Sequence, residues 1–155
     1  MVEKYGLQSF GVRVLSKERT LCEKIMSLVR FSFTPTPLED LANKVRHAYD
    51  VHMMLRDASI RYFFDSEAFE EMLVKVGRDD VASYKNSNQW LYRHPSQAML
   101  FAQPEATWKR IRTAYLTTFK GLVFGSFPRE EEILGAIKLV AARLESMPRP
   151  LEKNT

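Results

Sequence analysis

Apolar positions fall along this chain first in one short alternation and then in a series of helical stripes. "SFGVRVLS" (9–16) alternates, with Phe10, Val12 and Val14 on one side and Gly11, Arg13 and Leu15 on the other, which predicts a strand. A lone strand leaves its backbone groups unpaired, so it calls for a second strand from another copy, another chain or another part of the gene product. At Ser16 or Lys17 the period changes. Leu21, Ile25, Leu28 and Val29 make one stripe of a helix, with Ser16 suited to its cap, and the helix must stop before "TPTP". Two charges, Glu23 and Lys24, interrupt that apolar run.

The second helix opens at "TPLE", with Thr36 as cap, Pro37 in the first position and Glu39 completing a capping box. Its inward face is Leu38, Leu41, Ala42, Val45, Tyr49, His52 and Leu55, through about Arg56. "DSEAFEEMLVKVG" (65–77) predicts a shorter helix, capped by Asp65 or Ser66 and ended at Gly77. Residues 78–103 are the least regular and hold Trp90, Tyr92 and Pro95. A helix over 104–122 again begins with proline, and a last one starts near Pro128, its three glutamates suited to a helix N-terminus. The expectation is a mainly α, helical bundle-like domain over 1–147 with one short N-terminal strand, and a frayed tail at 148–155.

Composition narrows the function classes. The 155 residues are 45% hydrophobic and 27% charged, which fits a folded domain with a sizeable core. Cys22 is the only cysteine, excluding an intrachain disulfide and a multi-cysteine zinc site, and it reads as a core residue. No apolar run approaches the ~18 residues of a membrane span, and "MVEKYGLQSFGVRV" lacks the apolar centre of a secretory signal, so a cytoplasmic protein is expected. The net charge of +4 is compatible with a polyanionic partner such as RNA or nucleotide phosphates, but taken alone it more commonly reflects plain solubility.

Candidate chemistry is sparse. In "VRHAYDVHMML" (45–55) Arg46 and Asp50 share a helix face, a spacing that commonly makes a surface ion pair of a few tenths of a kcal/mol. His47 lies beside them, and His52 falls on the apolar stripe as a packed, hydrogen-bonded residue. With His94 these are the only histidines, and their spacing makes no zinc site. Lys24 sits one position off its stripe, where it either snorkels outward or extends an ammonium toward a phosphate. "FGSFP" (124–128) has no P-loop lysine and reads as an interhelical turn. "TWKRIRTAY" (107–115) reads either as a basic strip with stacking aromatics for RNA or, more commonly, as one solvated face and one core face.

Three stretches, "VLSKERTLCEKIMSL", "KVRHAYDVHMML" and "AYLTTFKGLVFGSFPREEEILGAI", follow one another in the manner of a known family. From about Phe10 to Leu144 the chain resembles the AbiEii/AbiGii toxins, nucleotidyltransferases of type IV toxin-antitoxin systems that act in phage defence (abortive infection). The resemblance implies Lys24 and Asp50 as catalytic residues, Lys24 and Arg46 as nucleotide- and phosphate-binding residues, and Glu23 and His47 in support. It implies Mg²⁺ and a nucleoside triphosphate (NTP) as cofactor and substrate, RNA or another molecule as acceptor, and a cognate antitoxin as partner.

One departure stands against the pattern. The family carries a glycine-serine motif with spaced aspartates upstream, and nothing before residue 9 resembles it. Without those metal ligands the chain is expected to bind no metal and to be inactive alone, as a truncated product, a fragment or one partner of a split enzyme that needs an upstream catalytic domain. The strand at 9–16 is then the last strand of the missing sheet, and residues 10–15 are expected to pair into a homodimer. The alternative function is a non-catalytic helical module that binds a partner protein or RNA.

Overall fold

The computed structural model describes residues 16–83, 94–119 and 128–147. The expected strand and the dimer through residues 10–15 lie outside them, as do Trp90, Tyr92 and the tail. Among the described residues every regular element is helical. Helix α1 spans Lys17–Phe31, and Ser16 caps it as the sequence predicts, its Oγ accepting the Arg19 N–H at 3.0 Å. The stripe of Leu21, Cys22, Ile25 and Val29 is fully buried.

The expected second helix is two helices, α2 (Pro37–Asn43) and α3 (Val45–Leu55), separated by a break at Lys44 with φ −113° and ψ 20°. Lys44 N–H and His47 N–H both turn to carbonyls three residues back, on Leu41 and Lys44. The apolar stripe hid this break, because Leu41 and Val45 stay buried on either side of it. Nor does Thr36 make the expected capping box. Its side chain makes no cap bond, and Asp40 gathers the hydroxyls of Thr34 and Thr36 at 2.5 and 3.3 Å. A short helix α4 (Ala58–Phe64) follows, unanticipated in the pattern and capped by Asp57, whose carboxylate accepts the N–H groups of Ser59 and Ile60.

Helix α5 (Glu67–Ser83) does not end at Gly77. Gly77 is a buried residue within the helix, which runs on past it, so a helical glycine sits where a terminator was expected. The irregular region contains a 3₁₀ turn at Pro95–Gln97 and a one-turn helix α6 (Met99–Ala102). Helix α7 (Pro104–Thr113) widens into a π-helical turn at Ala114–Phe119. There the Thr117 hydroxyl donates to the Thr113 carbonyl at 2.6 Å, competing with the regular ladder. Helix α8 (Glu130–Glu145) begins where Glu132 accepts the Arg129 N–H at 3.1 Å.

Three helix pairings position everything that follows. Helix α1 packs on both α3 and α5, and α3 packs on α8. Around this frame close Phe64 against Phe69 (4.9 Å between centroids) and Trp108 against Tyr115 (5.5 Å). His94 ties the 94–97 turn to the end of α8. Its Nδ1 accepts the Ser96 N–H, leaving Nε2–H to donate to the Met147 carbonyl at 2.7 Å. Among the described residues no helix is long and apolar enough to cross a membrane.

Candidate functional site

Beside its apolar stripe, α1 carries Thr20, Lys24, Ser27 and Phe31, spaced three and four residues apart and therefore aligned. With Arg30 from the same helix, Lys44 at the break and His47 in the first turn of α3, these residues line a cavity of 740 Å³. Arg19, Glu23 and Asp79 line it as well.

Lys24 and Asp50 meet across the α1–α3 interface, Nζ to Oδ2 at 3.0 Å. Their side chains are 24% and 21% exposed, so the pair is partly desolvated yet open to a ligand. Arg46 stands one turn before Asp50 with Nε at 3.9 Å from the same oxygen, and it is 71% exposed. A contact that long in that much water binds Arg46 loosely, which leaves its guanidinium able to swing. Asp50 therefore holds Lys24 closely and Arg46 weakly.

Glu23 is not part of that pair. It accepts from Arg19 Nε at 3.0 Å, and Arg19 also reaches Asp79 at 2.8 Å, a small network joining α1 to α5. His47 is partly buried, and its Nδ1 has no hydrogen-bond partner among the described residues. Burial, then the nearby charges of Lys24 and Lys44, push its pKa from 6.5 down to about 4, so the imidazole is neutral at pH 7. His52 lies on the buried side of α3 but lacks the expected hydrogen bond at Nε2 among the described residues. Glu132 Oε1 is 4.0 Å away, too far for one. Cys22 is inert, with burial raising its thiol pKa to about 12.

The basic segment 107–115 resolves in favour of one core face and one solvated face. Trp108 and Tyr115 are buried, and Trp108 Nε1–H and Arg112 both donate to Glu130, so the aromatics offer no stacking platform. Metal ligands are a separate matter. Among the described residues no group of three or more acidic, histidine or cysteine side chains comes together, and the Asp50 carboxylate is held by an ammonium. These residues on their own do not fit a Mg²⁺ site.

The family model described as nucleotidyl transferase AbiEii toxin, type IV TA system, matches residues 2–132. The chain belongs to this family. The match takes in α1 to α7 and the first turn of α8, and so includes the Lys24–Asp50 pair. No curated protein and no solved structure matches the chain. As a toxin of a type IV system, an AbiEii family member is one half of a toxin-antitoxin pair. Thr20, Ser27, Phe31 and Lys44 were missed as lining residues. For Thr20, Ser27 and Phe31 the signal was present in the second stripe of α1, which is visible only when both faces of the helix are read.

Proposed function

We propose that these helices supply the phosphate-handling side of a nucleotidyltransferase that moves a nucleotide from an NTP to RNA or another acceptor in the cytoplasm. The observation that carries this is the Lys24–Asp50 contact of 3.0 Å at the edge of a cationic cavity, in a chain of the AbiEii family. Lys24 offsets the charge that builds on the phosphates as the bond to the leaving group breaks. Asp50 fixes the ammonium, and Arg46, loosely held, closes on the bound phosphate. Glu23 and His47 support the site indirectly, through Arg19 and by keeping an uncharged side chain between two lysines. A Mg²⁺ ion would neutralise phosphate charge in that reaction, and its acidic ligands would come from a second polypeptide. A cognate antitoxin is the further partner.

The test is label transfer from a radiolabelled NTP to total RNA with Mg²⁺. The purified chain is assayed alone and with the product of the coding segment adjacent to its own. No labelling by the chain alone is expected, with labelling restored by the second product and lost again in Lys24→Ala. Strong transfer by the chain alone would refute the reading that a second polypeptide supplies the metal ligands. Transfer indifferent to Lys24→Ala would refute the assigned role, and no transfer in any arm would favour a non-catalytic binding module.

A further inference from the structure

The cavity beside Lys24 is electrically divided. At one end Arg19 is balanced by Glu23 and Asp79, at 3.0 and 2.8 Å. At the other, Lys24, Arg30 and Lys44 converge near His47, and each of the three cations disfavours its protonation. Of these, Lys24 is answered by Asp50. Lys44 has no carboxylate partner among the described residues. Its ammonium instead lies 5.3 Å from the centre of the Phe31 ring, which also carries the Arg30 guanidinium at 4.4 Å.

Two cations on one ring repel each other, and the ring's quadrupole offsets only part of that. The helix break keeps Lys44 there. With the chain turned at this residue, α3 begins beside the cavity, and the positive end of its dipole adds to the same field. Ser27, three residues from both Lys24 and Arg30 on α1, contributes a hydroxyl to the wall between them. A cavity of 740 Å³ is far larger than one small anion needs.

We infer that Lys44, held over Phe31 and lining the same cavity as Ser27, forms a second phosphate subsite there, holding another phosphate group of the ligand whose first phosphate meets Lys24. This rests on the reading of Lys24 as a phosphate-binding residue. A phosphate suits the place better than a carboxylate, because it brings more charge into a small volume and more acceptor oxygens to the ammonium and hydroxyl. The second phosphate comes either from the polyphosphate tail of the nucleotide or from the backbone of the acceptor strand. His47 serves as a built-in reporter. A phosphate seated among the cations cancels their effect on the imidazole and raises its pKa from about 4.

Calorimetry of the full chain at low salt, with inorganic pyrophosphate, inorganic phosphate and an RNA trinucleotide as probes, tests this. It is combined with a pH titration of the His47 ring protons by NMR. The wild type is expected to bind pyrophosphate at least about tenfold more tightly than phosphate, and Lys44→Gln to lose that preference. Pyrophosphate should raise the His47 pKa in the wild type and not in Lys44→Gln. Ser27→Ala, a smaller change that tests the subsite should Lys44→Gln fold poorly, is expected to lose part of the preference.

If the trinucleotide rather than pyrophosphate depends on Lys44, the subsite stands and its phosphate belongs to the acceptor. If neither probe responds to Lys44→Gln or Ser27→Ala, the subsite does not exist. The two claims separate cleanly. Loss of all phosphate binding in Lys24→Ala with none in Lys44→Gln keeps the Lys24 reading and removes the subsite. The reverse pattern leaves Lys44 as a phosphate site by itself and removes the Lys24 reading, and with it the arrangement of two subsites.

Discussion

The ammonium of Lys24 and the carboxylate of Asp50 meet at 3.0 Å across the packed faces of α1 and α3. The helices are held in place by apolar stripes one position away from each charge. Leu21, Ile25 and Val29 fix α1, while Ala48, Val51 and Leu55 fix α3. Because packing sets the geometry, the ion pair itself should matter little to folding. A double-mutant cycle of Lys24→Met and Asp50→Leu, measured by urea denaturation, is expected to give a coupling of about 0.2 to 1 kcal/mol. A coupling several times larger would make the pair chiefly structural and weaken its assignment to ligand binding.

His47 should make stability depend on pH. Its folded pKa of about 4 lies below its ordinary 6.5, so between those values the unfolded chain takes up a proton that the folded chain resists. The contribution is therefore complete above 6.5 and is lost as pH falls toward 4. His52, whose pKa is lowered chiefly by burial, acts in the same direction. Urea midpoints measured across that window should fall with pH, and His47→Gln, which cannot titrate, should flatten part of the slope. An unchanged slope in His47→Gln would show that the imidazole protonates freely in the folded state.

Arg143 is predicted to be the costliest polar side chain to remove. Only 13% exposed, it donates from α8 to the Phe64 and Ser66 carbonyls at 2.8 and 3.0 Å and to Glu70 at 3.1 Å. These bonds close the turn between α4 and α5. Arg143→Met should cost about 2 to 3 kcal/mol, since the acceptors it leaves are partly buried. Arg143→Lys should recover little, because one ammonium cannot span acceptors placed for a planar fork. Thermal denaturation of both variants checks this, and full rescue by lysine would contradict it.

Tyr115 offers a subtler test at the π-helical turn. The side chain is fully buried, and its hydroxyl donates to the Pro128 carbonyl at 2.7 Å, joining the end of α7 to the approach of α8. Tyr115→Phe should cost about 1 to 2 kcal/mol by leaving that carbonyl unpaired, with little change in shape. A neutral effect on the urea midpoint would mean that water replaces the bond.

Helix α1 was legible in the sequence because Ser16, the apolar stripe and "TPTP" agree about its limits, and the structure draws it at Lys17–Phe31. The start of α8 was legible for a similar reason, in Pro128 and the glutamates after it. The break at Lys44 was not, since no proline or glycine marks it and the buried stripe runs straight through. Gly77 misled in the opposite sense, as a glycine inside a helix looks in sequence like one that ends it. Helix α4 had a readable signal in Asp57, but seven residues are too few for periodicity to announce them. The family resemblance singled out Lys24 and Asp50, and the packing of α1 on α3 brings them together. Lys44 escaped notice because its place in the cavity depends on the unmarked break.

The central claim is that Lys24 faces the phosphates of a nucleotide, and calorimetric titration of the chain with ATP tests it most directly. Wild type and Lys24→Met would be compared at low and at physiological salt, with melting curves confirming that both are folded. The predicted result is weak binding to the wild type that fades as salt rises, and no measurable binding to Lys24→Met. Equal affinity in the two proteins, or wild-type binding insensitive to salt, would contradict it.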